Sequence, residues 1–155
     1  MKLAVGSDEK TYLTDRVLQE LQKRGHTLEL FGPLNEAADA PRALNWVQAA
    51  QAVAEAVSAG RAEEGILFCW TGTGVTLAAN KIPGIRAALC HDAETARGAR
   101  LWNRANVLCL SLRATSETVA QEILDAWFNT PLGTDPSDVA AVEQVTQIEA
   151  KYCIK

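Results

Sequence analysis

Apolar positions along the chain fall into two periods, and the periods alternate. Lys2 to Gly6 reads as a short first strand that Gly6 ends. From about Thr11 to Arg24 the spacing turns helical, with Leu13, Val17, Leu18 and Leu21 on one face and Gly25 as the stop. Asp8 is the expected N-cap of that helix. Thr27 to Phe31 is a second strand, and Gly32 to Leu44, with two prolines and little pattern, reads as a loop. Asn45 to Ser58 is helical again, on Val47, Ala50, Val53, Ala54 and Val57, and Gly60 closes it. Ile66 to Phe68 is a buried strand, followed by Cys69, a glycine-broken turn, and a helix from near Val75 to Lys81. Pro83-Gly84 turns the chain into a fourth strand, Ile85 to Leu89. Asp92 caps a helix through about Trp102, Asn106 to Leu110 is strand five, and Ser116 caps a helix from Glu117 to about Asn129.

Strands that alternate with helices five times imply a parallel sheet with right-handed crossovers. The fold class is α/β: a three-layer α/β/α sandwich with a five-stranded parallel Rossmann-like sheet, formed by residues 1–130. After Pro131 the pattern changes. Leu132 to Ser137 is a loop, and Asp138 to about Lys151 is helical, with Val139, Val142, Val145 and Ile148 on one side. The segment 131–155 packs either on a partner subunit or on its own domain, and the pattern fits both.

Composition narrows the class. A chain of 155 residues forms one domain with a real core. Its 48% hydrophobic and 22% charged content is ordinary for a soluble protein. A net charge of −4 gives no electrostatic support for nucleic-acid binding. No apolar run approaches the roughly 18 residues a membrane helix needs, and the first residues turn polar too soon for a signal peptide. The four cysteines lie far apart with no CxxC pair, which argues against a metal site or disulfide framework and for a reducing, cytoplasmic setting. No GxGxxG follows the first strand, so a nucleotide-binding module is set aside.

The candidate chemistry sits in the stretch Gly65 to Val75. A strand that stops and turns into a helix N-terminus is where open α/β sheets bind ligands. Backbone N–H groups face outward there, and the helix dipole favours negative charge. A thiol at the lip of such a site ionises more easily than a free cysteine. Cys69 is therefore the candidate reactive group, with an ordinary core thiol as its alternative.

The string Gly65-Ile66-Leu67-Phe68-Cys69-Trp70-Thr71-Gly72-Thr73-Gly74, continued by Ala78 to Cys90, resembles the ribose-5-phosphate isomerase B group, which includes the galactose-6-phosphate isomerase subunits. Ala4 to Asp8 and Asn103 to Leu110 resemble it too, and the likeness covers roughly residues 1 to 130. It implies metal-independent interconversion of aldose and ketose sugar phosphates, with no cofactor. It implies a homodimer or dimer of dimers with shared active sites. Carried over by position, Cys69 is the base that moves a proton from C2 to C1 through an enediolate, and Thr71 assists. The Gly72–Thr73–Gly74 backbone meets the oxyanion. Asp8 binds sugar hydroxyls, its alternative being the helix cap. Asn103 reaches the enediolate from the partner subunit, and Arg113 matches an arginine of the group.

The departures gather at the site. Glu9 stands where the group has a histidine, Trp102 where it has the ring-opening histidine, and Trp70 where the turn has a glycine. Trp46 stands near a loop tyrosine, and Asn45 near an aspartate. The group's C-terminal arginines, which grip phosphate, are absent, and Pro131 to Ala150 holds no Lys or Arg at all. A phosphate dianion needs cationic donors, while indoles stack on sugar C–H faces. The expected substrate is a sugar without a terminal phosphate, or with one held differently. Ring opening is unassigned: Thr71 or Glu9 substitutes, or the substrate is already open-chain. The expected activity is an aldose–ketose isomerase. The alternative is a non-catalytic sugar-binding protein or a subunit of a hetero-oligomeric isomerase. Cys90, Cys109 and Trp127 are expected in the core, His26 on the surface, and Cys153 is incidental.

Overall fold

The computed structural model describes residues 1–37 and 39–152. Cys153, expected to be incidental, lies outside them. Five strands, β1 (Lys2–Ser7), β2 (Thr27–Phe31), β3 (Glu64–Cys69), β4 (Ala87–Leu89) and β5 (Val107–Ser111), form one parallel sheet in the order β2-β1-β3-β5-β4. The helices are α1 (Tyr12–Lys23), α2 (Trp46–Ser58), α3 (Thr73–Ala79), α4 (Ala93–Asn103), α5 (Glu117–Asn129) and α6 (Pro136–Tyr152).

Alternation along the central strands separates two cores. Leu3, Val5, Ile66, Phe68, Leu108 and Leu110 point to the side covered by α1, α4 and α5. Ala4, Leu67, Cys69, Val107 and Cys109 point to the side covered by α2 and α3. The three-layer expectation is met. The crossover helix changes face between α1 and α2, so the sheet has its switch point between β1 and β3.

Several boundaries differ from the periodicity. α1 is capped by Thr11, whose side chain accepts from the Thr14 backbone while Thr14 returns the bond, a reciprocal capping box. Asp8 is not the cap. Asn45 caps α2 in the same way with Gln48. Asp92 and Ser116 cap α4 and α5 as expected. α3 begins two residues earlier than its apolar pattern, because Gly72 adopts a left-handed φ of 77° and lets the helix start at Thr73. Gly32–Leu34, expected as loop, makes a short 3₁₀ turn.

Trp127 is fully buried, as expected, and its Nε1 donates to Glu64 Oε2 at 2.7 Å. Glu64 Oε1 pairs with Arg100 Nη2 at 2.7 Å, and Arg100 Nη1 donates to the Ala105 carbonyl at 2.7 Å. This triad ties the foot of β3 to α4 and α5. His26 departs from the surface expectation. Its ring packs on Phe128 with centroids 4.5 Å apart, its Nδ1 is buried without a partner, and burial holds its pKa below the usual value.

α6 has no buried residue. It stands off the β4 edge across a groove of about 970 Å³ lined by Trp102, Val142, Val145, Ile148 and Tyr152. At Ala87 the outer edge of β4 is taken up: Asn80 accepts from the Ala87 N–H at 2.8 Å and donates to the Ala87 carbonyl at 2.9 Å.

Candidate active site

The crevice opens at the switch point, between the C-terminal ends of β1 and β3. Ser7 stands opposite Phe68 in the register, so the next residues, Asp8 and Cys69, leave neighbouring strands side by side. The Ser7 hydroxyl donates to the Glu9 carbonyl at 2.6 Å and accepts from the Glu9 N–H at 3.2 Å, which fixes the turn. Gly32 packs on it: a β-carbon there would fall 2.3 Å from the Ser7 carbonyl oxygen. Asp8 projects from this turn with Oδ1 buried and unpartnered, and burial pushes its carboxyl above the usual range. Glu9 is exposed.

Cys69 is 5% exposed and lies among Val75, Ala79 and Cys109 on the α2/α3 side. Its carbonyl accepts from Gly72 at 3.2 Å and from Leu112 at 3.0 Å. The Trp70 carbonyl accepts from the Arg113 N–H at 3.0 Å and from the Ser111 hydroxyl at 2.9 Å. The β3–α3 turn is thus sewn to the β5–α5 turn, which holds the Trp70 backbone while its indole stays 57% exposed. Gly72 is required twice, by its φ and by contact: a β-carbon would lie 2.5 Å from Leu89 Cδ1 and 3.1 Å from the Leu110 backbone. The Thr71 and Thr73 hydroxyls are 2.7 Å apart. No side chain caps α3 at its N-terminus, where a helix leaves its first-turn N–H groups without intrahelical partners. Trp46 lies over Gly74 from the head of α2.

Charge is sparse. Lys10 is held by Glu36 and by Asp15, the latter at 3.7 Å. Arg42 donates to the Glu36 carbonyl at 2.6 Å, and Arg16 pairs with Glu117 at 2.7 Å. Arg113 is exposed and forms no ion pair among the described residues. Cys90 and Cys109 are buried core thiols, as expected, and burial pushes each up to about 12. No group of three His, Cys, Asp or Glu among the described residues is placed to hold a metal.

The crevice gathers Asp8, Glu9, Trp46, Cys69, Trp70, Thr71, Gly72, Thr73, Gly74 and Arg113 at one end of the sheet. It does not gather Trp102 or Asn103 from the same chain. α4 runs back to the opposite end, where the Arg104 carbonyl accepts from Arg86 Nε at 2.9 Å. Trp102 lies along its own helix, with the β-carbon site of Gly98 2.5 Å from its ring, and faces the α6 groove. Sequence reasoning missed Ser7 and Gly32. A serine two residues before the Glu9 carbonyl was a readable turn signal. The close approach of Gly32 to Ser7 was not, since it depends on β1 lying beside β2.

A doubly wound parallel sheet with a cysteine, a carboxylate and a glycine turn at its switch point has the architecture in which open α/β sheets bind small ligands. A family model described as Ribose/Galactose Isomerase matches residues 3–145. The chain is 35% identical over 132 residues to "D-erythrulose-4-phosphate isomerase" of Pectobacterium atrosepticum, covering 83% of each. It is 32% identical over 111 residues to "4-deoxy-4-sulfo-D-erythrose isomerase" of a Clostridium species, covering 71% of this chain and 67% of that one. The structure of Clostridium thermocellum ribose-5-phosphate isomerase B superposes with a TM-score of 0.87 at 35% identity, covering 98% and 99% of the two chains. The chain belongs to the ribose/galactose isomerase family and is an aldose–ketose isomerase of it. Among the described residues no helix is long and apolar enough to cross a membrane.

Proposed function

We propose that the chain moves one proton between C2 and C1 of a small anionic sugar through an enediolate, with Cys69 as the base. The observation that carries this reading is the pairing of Cys69 with Asp8 at the switch point. One is a thiol, and the other is a carboxylate whose buried Oδ1 has no hydrogen-bond partner among the described residues. The Cys69 thiolate takes the C2 proton, and the C–H electron pair becomes the C1–C2 double bond. The charge moves to O1, where the Thr73 and Gly74 N–H groups meet it. The Cys69 thiol returns its proton to C1, and the Thr71 hydroxyl carries the O2 proton to O1. Nothing is gained or lost overall. Asp8 and Glu9 take hydroxyl groups, Trp46 and Trp70 cover the sugar's apolar face, and Arg113 meets the anionic end.

The relatives' named substrates share a carbonyl carbon and a terminal anion, and we extend that class to this chain. A homodimer completes the site. A partner copy brings the Trp102–Asn103 end of α4, which its own crevice cannot use, and the exposed apolar side of α6 packs in the interface. The test is solvent-deuterium incorporation at C2 across a panel of aldoses, ketoses and their anionic esters. Exchange on at least one substrate, abolished in Cys69→Ala with folding intact, is the expected result. Full exchange in that variant would overturn the role of Cys69.

A further inference from the structure

We infer that Thr73 is a positioning residue for the proton transfer between the substrate oxygens: its hydroxyl donates to Thr71 Oγ1 and so aims the Thr71 proton and one Thr71 lone pair at the sugar. This rests on the isomerase reading above, which used Thr73 only for its backbone N–H.

The two hydroxyls lie 2.7 Å apart, and the direction of the bond follows from what else Thr73 could use. A helical threonine ordinarily donates to the carbonyl three or four residues earlier. Thr76 does so, to Gly72 at 2.7 Å. For Thr73 those carbonyls belong to Trp70 and Cys69, and both are full. The Trp70 oxygen accepts from the Arg113 N–H and the Ser111 hydroxyl, and the Cys69 oxygen accepts from the Gly72 and Leu112 N–H groups. A carbonyl oxygen has two lone pairs. The tie between the β3–α3 and β5–α5 turns therefore leaves the Thr71 oxygen as the acceptor for Thr73. Thr73 is also the better anchored of the two. It sits in the first turn of α3, where the helix restricts a β-branched side chain. Thr71 precedes the helix, ahead of the left-handed Gly72.

Interconverting an aldose and a ketose moves one proton between carbons and a second between oxygens. The enediolate formed by Cys69 carries charge on O1 and a proton on O2. Thr71 gives its hydroxyl proton to O1 while its oxygen takes the proton of O2. The electron pair left on O2 becomes the C2 carbonyl as C1 takes the Cys69 proton, and Thr71 ends unchanged. A hydroxyl has one proton and two lone pairs. With one lone pair filled by Thr73, what remains is one proton for O1 and one lone pair for O2. Without Thr73 the Thr71 hydroxyl turns freely, and the enediolate falls back to the starting sugar more often than it goes forward.

The experiment runs the full-length parent, Thr73→Val, Thr73→Ser, Thr71→Val and the Thr71→Val/Thr73→Val double variant in deuterium oxide. The probes are the members of the sugar panel that the parent turns over, D-ribose 5-phosphate and D-erythrulose 4-phosphate first. Two rates are read: conversion to product, and deuterium entering recovered substrate at C2 of an aldose or C1 of a ketose. Thr73→Val keeps the backbone N–H and the side-chain shape at an exposed position, so its urea midpoint is expected to match the parent. Its conversion is expected to fall roughly tenfold while exchange holds, which raises the ratio of exchange to conversion by the same factor. Thr73→Ser restores the hydroxyl and is expected to bring the ratio back to within about threefold of the parent. The double variant is expected to match Thr71→Val alone. A ratio in Thr73→Val that stays within about threefold of the parent overturns the inference, and so does a serine variant no better than the valine one. A parent that neither converts nor exchanges any member of the panel overturns the isomerase reading itself.

Discussion

The Trp46 indole rests on Gly74 so closely that a β-carbon there would fall 2.9 Å from Cε3 and 3.1 Å from Cδ2. One residue opens α2 and the other lies in the first turn of α3, so this contact sets the height of the crevice wall over the turn. Gly74→Ala gains helix propensity of up to about 1 kcal/mol but must displace the ring. Trp46 is 39% exposed and can swing outward, so stability should stay within about 1 kcal/mol of the parent. Exchange should fall roughly tenfold, a transition-state loss of about 1.4 kcal/mol. Kinetics of Gly74→Ala alone and combined with Trp46→Ala check this. If the two losses simply add, the contact is not what matters.

Asp8 is the clearest case of stability given up for a site. Burial raises its carboxyl above the unfolded value of 3.8, so the folded state holds the proton more tightly. Its stabilising contribution is present below pH 3.8 and lost as pH rises through the raised value. Asp8→Asn should therefore be more stable than the parent at pH 7, with the difference vanishing in acid. Solvent on its open side screens the effect and holds it below about 1 kcal/mol. The same variant should lose substrate affinity, visible as a raised KM. Denaturant midpoints at pH 4 and pH 7 give the sign, and a parent more stable at pH 7 would contradict it.

These two residues also mark what the sequence could carry. The strand–turn–helix at Cys69 was legible because each part is local: an apolar run, a glycine break, a helix start. The caps at Asp92 and Ser116 were legible for the same reason. Asp8 was misread as a cap because it and Thr11 both precede the helix with suitable side chains. Only the Thr11–Thr14 reciprocity, a matter of backbone geometry, separates them. The contact between Trp46 and Gly74 joins positions far apart in sequence and repeats with no period. The same holds for Glu64, Arg100 and Trp127. Trp102 was placed at the site by resemblance alone and as a partner's residue, and the course of α4 puts it at the far end of its own sheet.

The Glu64–Arg100 pair should be costly to break and cheap to replace. Both side chains are about nine-tenths buried, at 10% and 9% exposure, and the guanidinium also lies 4.9 Å from the Trp127 ring centroid. Arg100→Met strands a buried carboxylate and leaves the Ala105 carbonyl without its donor. A loss of about 3 kcal/mol is expected. The double variant Glu64→Met/Arg100→Met removes both charges and should cost clearly less than the two single changes added. Urea unfolding of the four proteins gives the coupling directly, and strict additivity would mean that the pair carries no interaction of its own.

α6 should be dispensable for folding and required for assembly. None of its residues is buried, and Val145, Ile148 and Tyr152 are 44%, 58% and 68% exposed. Its main polar tie to the domain is Glu149, which accepts from the Gly84 N–H at 3.1 Å. Such a helix gives its own domain little, yet it presents an apolar stripe beside the exposed Trp102. Asn80 already occupies the N–H and carbonyl of Ala87, which leaves them unavailable for strand pairing by a second copy. Ending the chain after Asp135 should leave a cooperative unfolding transition within about 1 kcal/mol of the parent at low protein concentration. Solution mass should drop to that of one chain and C2 exchange should disappear. Val145→Glu/Ile148→Glu tests the same surface in the full-length chain, since both positions line the groove yet remain exposed within a single chain. A variant that stays oligomeric and active would remove α6 from the interface. A monomer that keeps full exchange would show that the crevice needs no partner.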